Sequence, residues 1–272
     1  IKIAVISVFL GVFVSLSAIS IGKGLQIAIK DKLYSLSPDL VISTYENNSR
    51  GIASEKINNF ESINNEIKNT LKGIEIEKTI EKPTLISVDN SFETVIFRGV
   101  NNGYNFRDFN KFIIGSKIKN DITNNEIIIS KSLSDKLKIS VGQILTLYFQ
   151  VNNNQRIPNV RSFNVSYIYE TDFPDFDNNY IIGNLETLQN VYKWSKNDYA
   201  NIEISIEDKS QISSIEKSIS LLSSFEKNNL STKTVQSKYA NIFSWISIFD
   251  FNILIITFLM ILVAIISVVI SL

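Results

Sequence analysis

Two long apolar runs enclose a polar stretch in which short apolar runs alternate with turn residues. The first run, Ile3–Ile21, carries no charge and is bracketed by Lys2 and Lys23. The second, Ile253–Leu272, has neither charge nor proline over 20 residues. At about 1.5 Å per helical residue each is long enough to cross roughly 30 Å of hydrocarbon. Trp245, Asp250 and Asn252 precede the second run, as expected at a membrane–water boundary, where aromatic rings settle and charges stop. A signal peptide is the competing reading of the first run, but its apolar stretch is longer than usual and no small-residue cleavage site follows. The chain begins with Ile and stops inside an apolar run, so it is expected to be a piece of a larger protein with further spans.

Between the runs the periodicity changes repeatedly. GLQIAIKDKLYSLSP places Leu25, Ile29, Leu33 and Leu36 on one helical face, a stalk that Pro38 should end. DLVIS reads as a strand and TYENNSRG as a loop. SEKINNFESINNEIKNTLKG predicts a helix with Ile57, Phe60, Ile63 or Asn64, Ile67 and Leu71 inward, stopped by Gly73. IEIEKTIEK predicts a strand, and PTLISVDNSFETVIFRGV a hairpin turning at Asp89–Asn90. NEIIISKSLSDKLKISVGQILTLYFQ gives strand, short helix, turn at Gly142 and strand. RSFNVSYIYET, NNYIIGNLETLQNVYKW, NIEISIED and QISSIEKSISLLSSF continue as strand, strand–helix, strand and helix, the last with Ile212, Ile215, Ile219 and Leu222 inward. A final helix from about Ser237 runs into the second span. The interleaving predicts a mixed α and β domain.

Composition narrows the chemistry. Lys+Arg and Asp+Glu number 27 each, so no net charge attracts nucleic acid. Histidine and cysteine are both absent, which removes the usual general base, thiol nucleophile and transition-metal ligands. No phosphate-loop motif is present. DFPDFDNN gathers Asp172, Asp175 and Asp177 without calcium-loop spacing and reads as a solvated turn. Enzymatic chemistry by this chain is not expected. One segment invites a binding role. Two strand-like runs, Ile144–Val151 and Ser162–Tyr169, flank a polar link of Asn152, Asn153, Asn154, Gln155, Arg156, Ile157, Pro158, Asn159, Val160 and Arg161. The link is either a surface loop or a protruding hairpin that grips a partner. In the first span Gly11, Ser15, Ser17 and Ala18 permit close packing, either against this chain's second span or around a dimer interface or acyl-chain cavity.

These elements, in this order, resemble the MacB/FtsX-like permeases of ABC transporters, most closely the lipoprotein-releasing permeases of Bacteroidetes-type bacteria. The resemblance rests on the opening IAVISVFLGVFVSLSAISIGKGLQIAIKDKLYSLSPDLVIS and on EIIISKSLSDKLKISVGQILTLYF, where Gln143 stands at a usually acidic position. RSFNVSYIYETDFPDFDNNYIIGNLETLQNVYKW and the final WISIFDFNILIITFLMILVAIISVVISL complete it. It implies an α+β membrane protein, with a first transmembrane helix at 1–22 and a stalk at 23–38. A MacB-like periplasmic core domain of two small subdomains would cover 39–240, and a stalk with the second helix 241–272. It further implies a non-catalytic permease in the bacterial inner membrane with four spans, of which two lie here. Its partners would be an ABC ATPase chain carrying the ATP and magnesium, a second permease copy, a lipoprotein cargo and a periplasmic lipoprotein carrier. The link from Asn152 to Arg161 would fall where some members carry a carrier-binding hook. Other expectations are a permease of the same superfamily with another substrate, and a two-span extracytoplasmic sensor.

Overall fold

The computed structural model describes residues 2–50, 55–88, 91–106, 108–118, 121–151 and 157–271. The chain divides into two compact units, Ile1–Ser37 with Val235–Leu272, and Pro38–Thr234. In chain order the elements begin with α1 (Lys2–Leu36), β1 (Leu40–Thr44), α2 (Tyr45–Arg50), α3 (Phe60–Thr70), β2 (Ile74–Val88) and β3 (Ser91–Val100). There follow β4 (Ile113–Ile114), β5 (Glu126–Ser130), α4 (Lys131–Leu137), β6 (Ile144–Phe149), β7 (Asn159–Tyr169), α5 (Pro174–Asp177) and β8 (Tyr180–Asn184). The last are α6 (Leu185–Tyr192), β9 (Asn201–Ile206), α7 (Ile212–Ser220), α8 (Ser223–Lys227), β10 (Leu230–Thr234), α9 (Val235–Lys238) and α10 (Ala240–Ser271).

In the Pro38–Thr234 unit every strand belongs to one sheet with two parts that share β2. The antiparallel part runs β10-β1-β9-β2. The other part closes on itself through β2, β3, β8, β5, β7 and β6, since β6 pairs with both β7 and β2. Its interior is filled by side chains from alternate positions. Phe97, Phe149 and Phe163 meet there with ring centroids 5.6–6.4 Å apart. Phe97 lies across Gly183 of β8, where an added Cβ would stand 2.3 Å from the ring. Glycine is therefore required by close approach at that position.

β2 explains why the two parts are fused. Expectation placed a strand ending near Lys82 and a new one after Pro83; instead a single 15-residue strand runs through the proline. Its first half pairs with β9 up to Thr79, and its second half pairs with β6 from Leu85. Pro83 falls in the gap between these partners. Opposite it Ile96 donates its N–H to Asn179 on the β8 side, so the Pro83–Ile96 pair exchanges no hydrogen bond. The missing N–H of Pro83 thus faces an edge that has no ladder to lose. The expected turn at Asp89–Asn90 lies outside the described residues.

Other local expectations change. Tyr45–Arg50 is a helix, not a loop; Asn47 donates its N–H to Thr44 Oγ1 and its side chain exchanges hydrogen bonds with Glu55, holding the turn. Helix α3 begins only at Phe60; Ile57, Phe60, Ile63, Asn64 and Ile67 are buried, while Leu71 follows the last turn. The single helix expected at 211–225 breaks into α7 and α8 at Leu221 and Leu222, where Leu222 takes an extended conformation. Ile212, Ile215 and Ile219 are buried as the spacing requires. β10 was not foreseen, because LSTKT has little apolar content. DFPDFDNN is not a wholly solvated turn: Asp177 is buried and accepts from Thr171 N and Oγ1.

The other unit contains two helices apolar and long enough to cross a membrane, within Val8–Leu36 and Ala240–Ile266. They pack antiparallel, as the paired residues run in opposite order. Gly11 faces Met260, Gly22 faces Ile253, Gln26 bonds Ile246 O, and Tyr34 meets Phe243 edge-on. On α1 the steps of three and four run through Gly11, Ser15, Ala18, Gly22 and Gln26, of which Gly11, Gly22 and Gln26 meet α10 and Ser15 is buried, and Leu33 and Leu36 are buried further along. Leu25 was expected on this face but is exposed, and Gln26 takes its place.

Candidate functional site

Three groups of residues stand out. The first is the β6–β7 hairpin. Its strands pair from Ile144↔Asn164 to Phe149↔Asn159, so β7 starts earlier than the expected Ser162. Val160 and Arg161 therefore belong to the strand and not to the link, opposite Tyr148 and Leu147. The hairpin is also not free-standing, because β6 pairs with β2 on its other edge. Ile157 is 77% exposed and Val160 45%, an apolar pair beside Pro158 at the hairpin's end. Asn152, Asn153, Asn154, Gln155 and Arg156 lie outside the described residues.

The second group is the helix pair. An added Cβ on Gly11 would stand 2.6 Å from Met260 Cε, so this glycine seats the methionine. Ser15 is buried with its Oγ unpartnered, and Ser17 donates to Phe13 O at 2.8 Å. Of the four small residues singled out in the first span, Gly11 is thus packed against this chain's own α10. Sequence reasoning missed a polar cluster further along the seam. Lys23 pairs with Asp250 at 2.5 Å, and Gln26 donates to Asp250 Oδ1 at 3.3 Å. The signal was available: Gln26 continues the step pattern of the small residues, whereas Leu25 does not.

The third group lies where the two parts of the sheet meet. Arg98 of β3 donates to Glu203 of β9 at 2.6 Å and to Glu81 of β2 at 3.2 Å. Thr79 donates to the other Glu203 oxygen at 2.8 Å, and Tyr104 OH accepts from Arg98 at 3.2 Å. Burial by itself would lower the guanidinium, but Glu203 and its neighbours outweigh this and hold Arg98 well above its ordinary value. Burial raises the Tyr104 phenol to about 12. Every charge here is paired and hydrogen-bonded, so the cluster fastens β9, β2 and β3 together rather than doing chemistry. Nearby on β2, Lys82 is buried with its Nζ 4.6 Å from the Tyr192 ring and 4.8 Å from the Trp194 ring. Strand parity would have found it, since Ile80, Lys82, Thr84 and Ile86 share the inward face. Among the described residues no group of three acidic side chains is arranged to hold a metal ion.

The arrangement offers binding surfaces and helix packing. A family model described as the MacB-like periplasmic core domain matches residues 3–222. Solved structures align with the chain, among them two transporter domains. One is the extracellular domain of the noncanonic ABC-type transporter YknZ from Gram-positive bacteria, 18% identical with a TM-score of 0.47, covering 72% of this chain and 99% of that one. The other is the periplasmic region of MacB from Actinobacillus actinomycetemcomitans, 16% identical with a TM-score of 0.47, covering 75% and 91%. No curated protein matches the sequence.

Proposed function

This chain belongs to the MacB-like periplasmic core domain family, and on that premise we propose that it releases lipoproteins from the inner membrane toward a periplasmic carrier. At the coarser level it is part of an ABC transporter permease of the MacB/FtsX superfamily, membrane-embedded, with a periplasmic domain and ABC ATPase partners. The finer reading concerns cargo and carrier. The observation that carries it is the end of the β6–β7 hairpin, where Ile157 is 77% exposed next to Pro158. An exposed aliphatic side chain beside a proline, which cannot close a further ladder bond, suits an anchor for a partner protein.

In this reading a separate ATPase chain binds ATP with magnesium, and its cycle moves α1 and α10, acting as mechanotransmitting stalks. A second permease copy, identical or related, completes the membrane assembly. The lipoprotein leaves the outer leaflet of the inner membrane and passes to the carrier held at the hairpin. Packing of Gly11 on Met260 supports a tight helix pair within one chain. Ser17, off that seam, then remains the candidate for facing the acyl chain or the other copy.

The test is a mild-detergent pull-down of the full-length transporter with mass spectrometry. Recovery of a phosphate-loop ATPase together with lipoproteins that leave on adding ATP is expected. An ATPase without lipoproteins would leave the permease and discard the cargo; recovery of no ATPase would favour the extracytoplasmic sensor. Carrier capture should be abolished by combined alanine replacement of Arg156, Ile157 and Pro158, and unchanged capture would sink the docking role.

A further inference from the structure

The six-stranded closure is incomplete on one side of β7. β5 pairs with β7 only from Asn164 onward, whereas β6 pairs with it from Asn159. Along the first five residues of β7 one edge is therefore occupied by β6, and among the described residues no strand pairs with the other. The direction of the backbone groups can be read from their neighbours. Asn164 donates its N–H to Asn125 on the β5 side, and Val165 donates to Gln143 on the β6 side. Alternation then points the N–H and C=O of Val160 and Ser162 toward the open edge. An open strand edge is a template for another strand unless something covers or blunts it.

This edge opens onto a groove of about 300 Å³, lined by Arg161 and Ser162 on one side and by Asn125, Thr187 and Asn190 on the others. Side-chain amides carry a donor and an acceptor and so match a peptide group. Among the described residues Arg161 has no carboxylate partner, and its guanidinium's one hydrogen bond is to Val160 O at 3.5 Å. A guanidinium free to fork onto a carboxylate selects an anionic side chain. From Val160 to Ser162 is about 7 Å, two residues of an added strand.

We propose that the open edge of β7 at Val160 and Ser162 takes an extended acidic peptide segment of a partner protein, one carboxylate meeting Arg161. Main-chain bonds to Val160 and Ser162 hold the segment, and Arg161 selects its charge, the division of labour seen wherever a strand adds to a sheet edge. The inference deepens the docking role proposed above and rests on it, with β7 supplying the grip and Ile157 the anchor.

The probe is a fluorescein-labelled TVDVT peptide, with TVNVT as its neutral counterpart, titrated by anisotropy against the full chain in detergent. TVDVT is expected to bind, with TVNVT about tenfold weaker, as the loss of one charge-assisted hydrogen bond implies. Ser162→Pro removes an N–H that the β6 ladder does not use, so it should fold and lose both peptides. A TVDVT peptide N-methylated along one edge tests the same bond on the unaltered protein and should bind at least tenfold more weakly than its parent. Arg161→Ala should erase the preference for TVDVT over TVNVT. Binding that survives both S162P and N-methylation overturns the proposal, as does no binding of either peptide at millimolar concentration. If carrier capture by the transporter is lost on replacing Ile157 and Pro158 but persists in a folded S162P protein, the hairpin role stands and the edge role falls.

Discussion

Lys82 shows how a single side chain can carry a pH response. Burial pushes its ammonium down to about 8, and the same cause raises the Tyr192 phenol above it to about 12. In the unfolded chain a lysine stays charged to about 10.4 and a tyrosine gives up its proton near 10. Between pH 8 and 10 the unfolded state thus binds more protons than the native state, and stability rises with pH. Above pH 10 the order reverses, because Tyr104 and Tyr192 keep their protons to about 12 in the fold. Thermal melts followed by circular dichroism should give a Tm that climbs from pH 8, peaks near pH 10 and then falls. Lys82→Met should remove the climb, worth roughly 2 kcal/mol, and leave the fall. A climb that persists in the variant would place its origin elsewhere. The residue-level signals were legible to different degrees. Parity along β2 would have assigned Lys82 inward, but nothing local announces that Tyr192 and Trp194, more than a hundred residues later, will close over it.

The helix pair is the element whose register the sequence comes nearest to spelling out. Small residues recur on α1 at steps of three and four, and the bulky Met260 and Ile253 sit where those gaps open. Since the chain has no native cysteine, a designed pair gives a clean readout. Gly22→Cys with Ile253→Cys should crosslink in membranes under mild oxidation, because an added Cβ at position 22 lies 3.3 Å from the Ile253 side chain. Moving the partner cysteine to Phe251, on the exposed side of α10, should abolish the crosslink. Equal crosslinking by both pairs would contradict the packing. The β6–β7 hairpin was legible as two strands and a link, but the strand boundary was not. Arg161 and Val160 look like link residues in NNNQRIPNVR and become strand residues because β6 extends opposite them. Pairing across a turn, not local propensity, sets where such a strand begins.

At the scale of the molecule, the polar stretch between the two spans is one compact unit. Its two sheet parts share β2, and the Arg98–Glu203 pair ties strands on either side of it. Pro38–Thr234 expressed without the helices should therefore be monomeric and unfold in one cooperative step. Glu203→Gln should lower its stability by about 3 kcal/mol, since it strands a buried guanidinium. Two resolved transitions in the unaltered fragment would mean that the sheet parts fold independently. Membership of the MacB-like periplasmic core domain family extends from residue 3 to residue 222, so it takes in α1 as well as most of this unit. The proposed transport role accordingly joins a membrane helix and a periplasmic domain in one chain.

The two apolar helices, most of the strands and helices between them (α2, β10 and the break between α7 and α8 excepted), most of the inward faces and the family were legible in the chain itself. These follow from hydrophobic period and turn chemistry, which act over a few residues. That β2 is one strand serving two parts of a sheet, that Pro83 falls at its hand-over, and that Arg98 meets Glu203 came only from the folded arrangement. It also decided that β7 keeps an open edge beside Arg161. Those features depend on partners far apart in the chain, and which edge a strand offers to which neighbour is fixed by closure of the whole sheet, not by the residues of the strand.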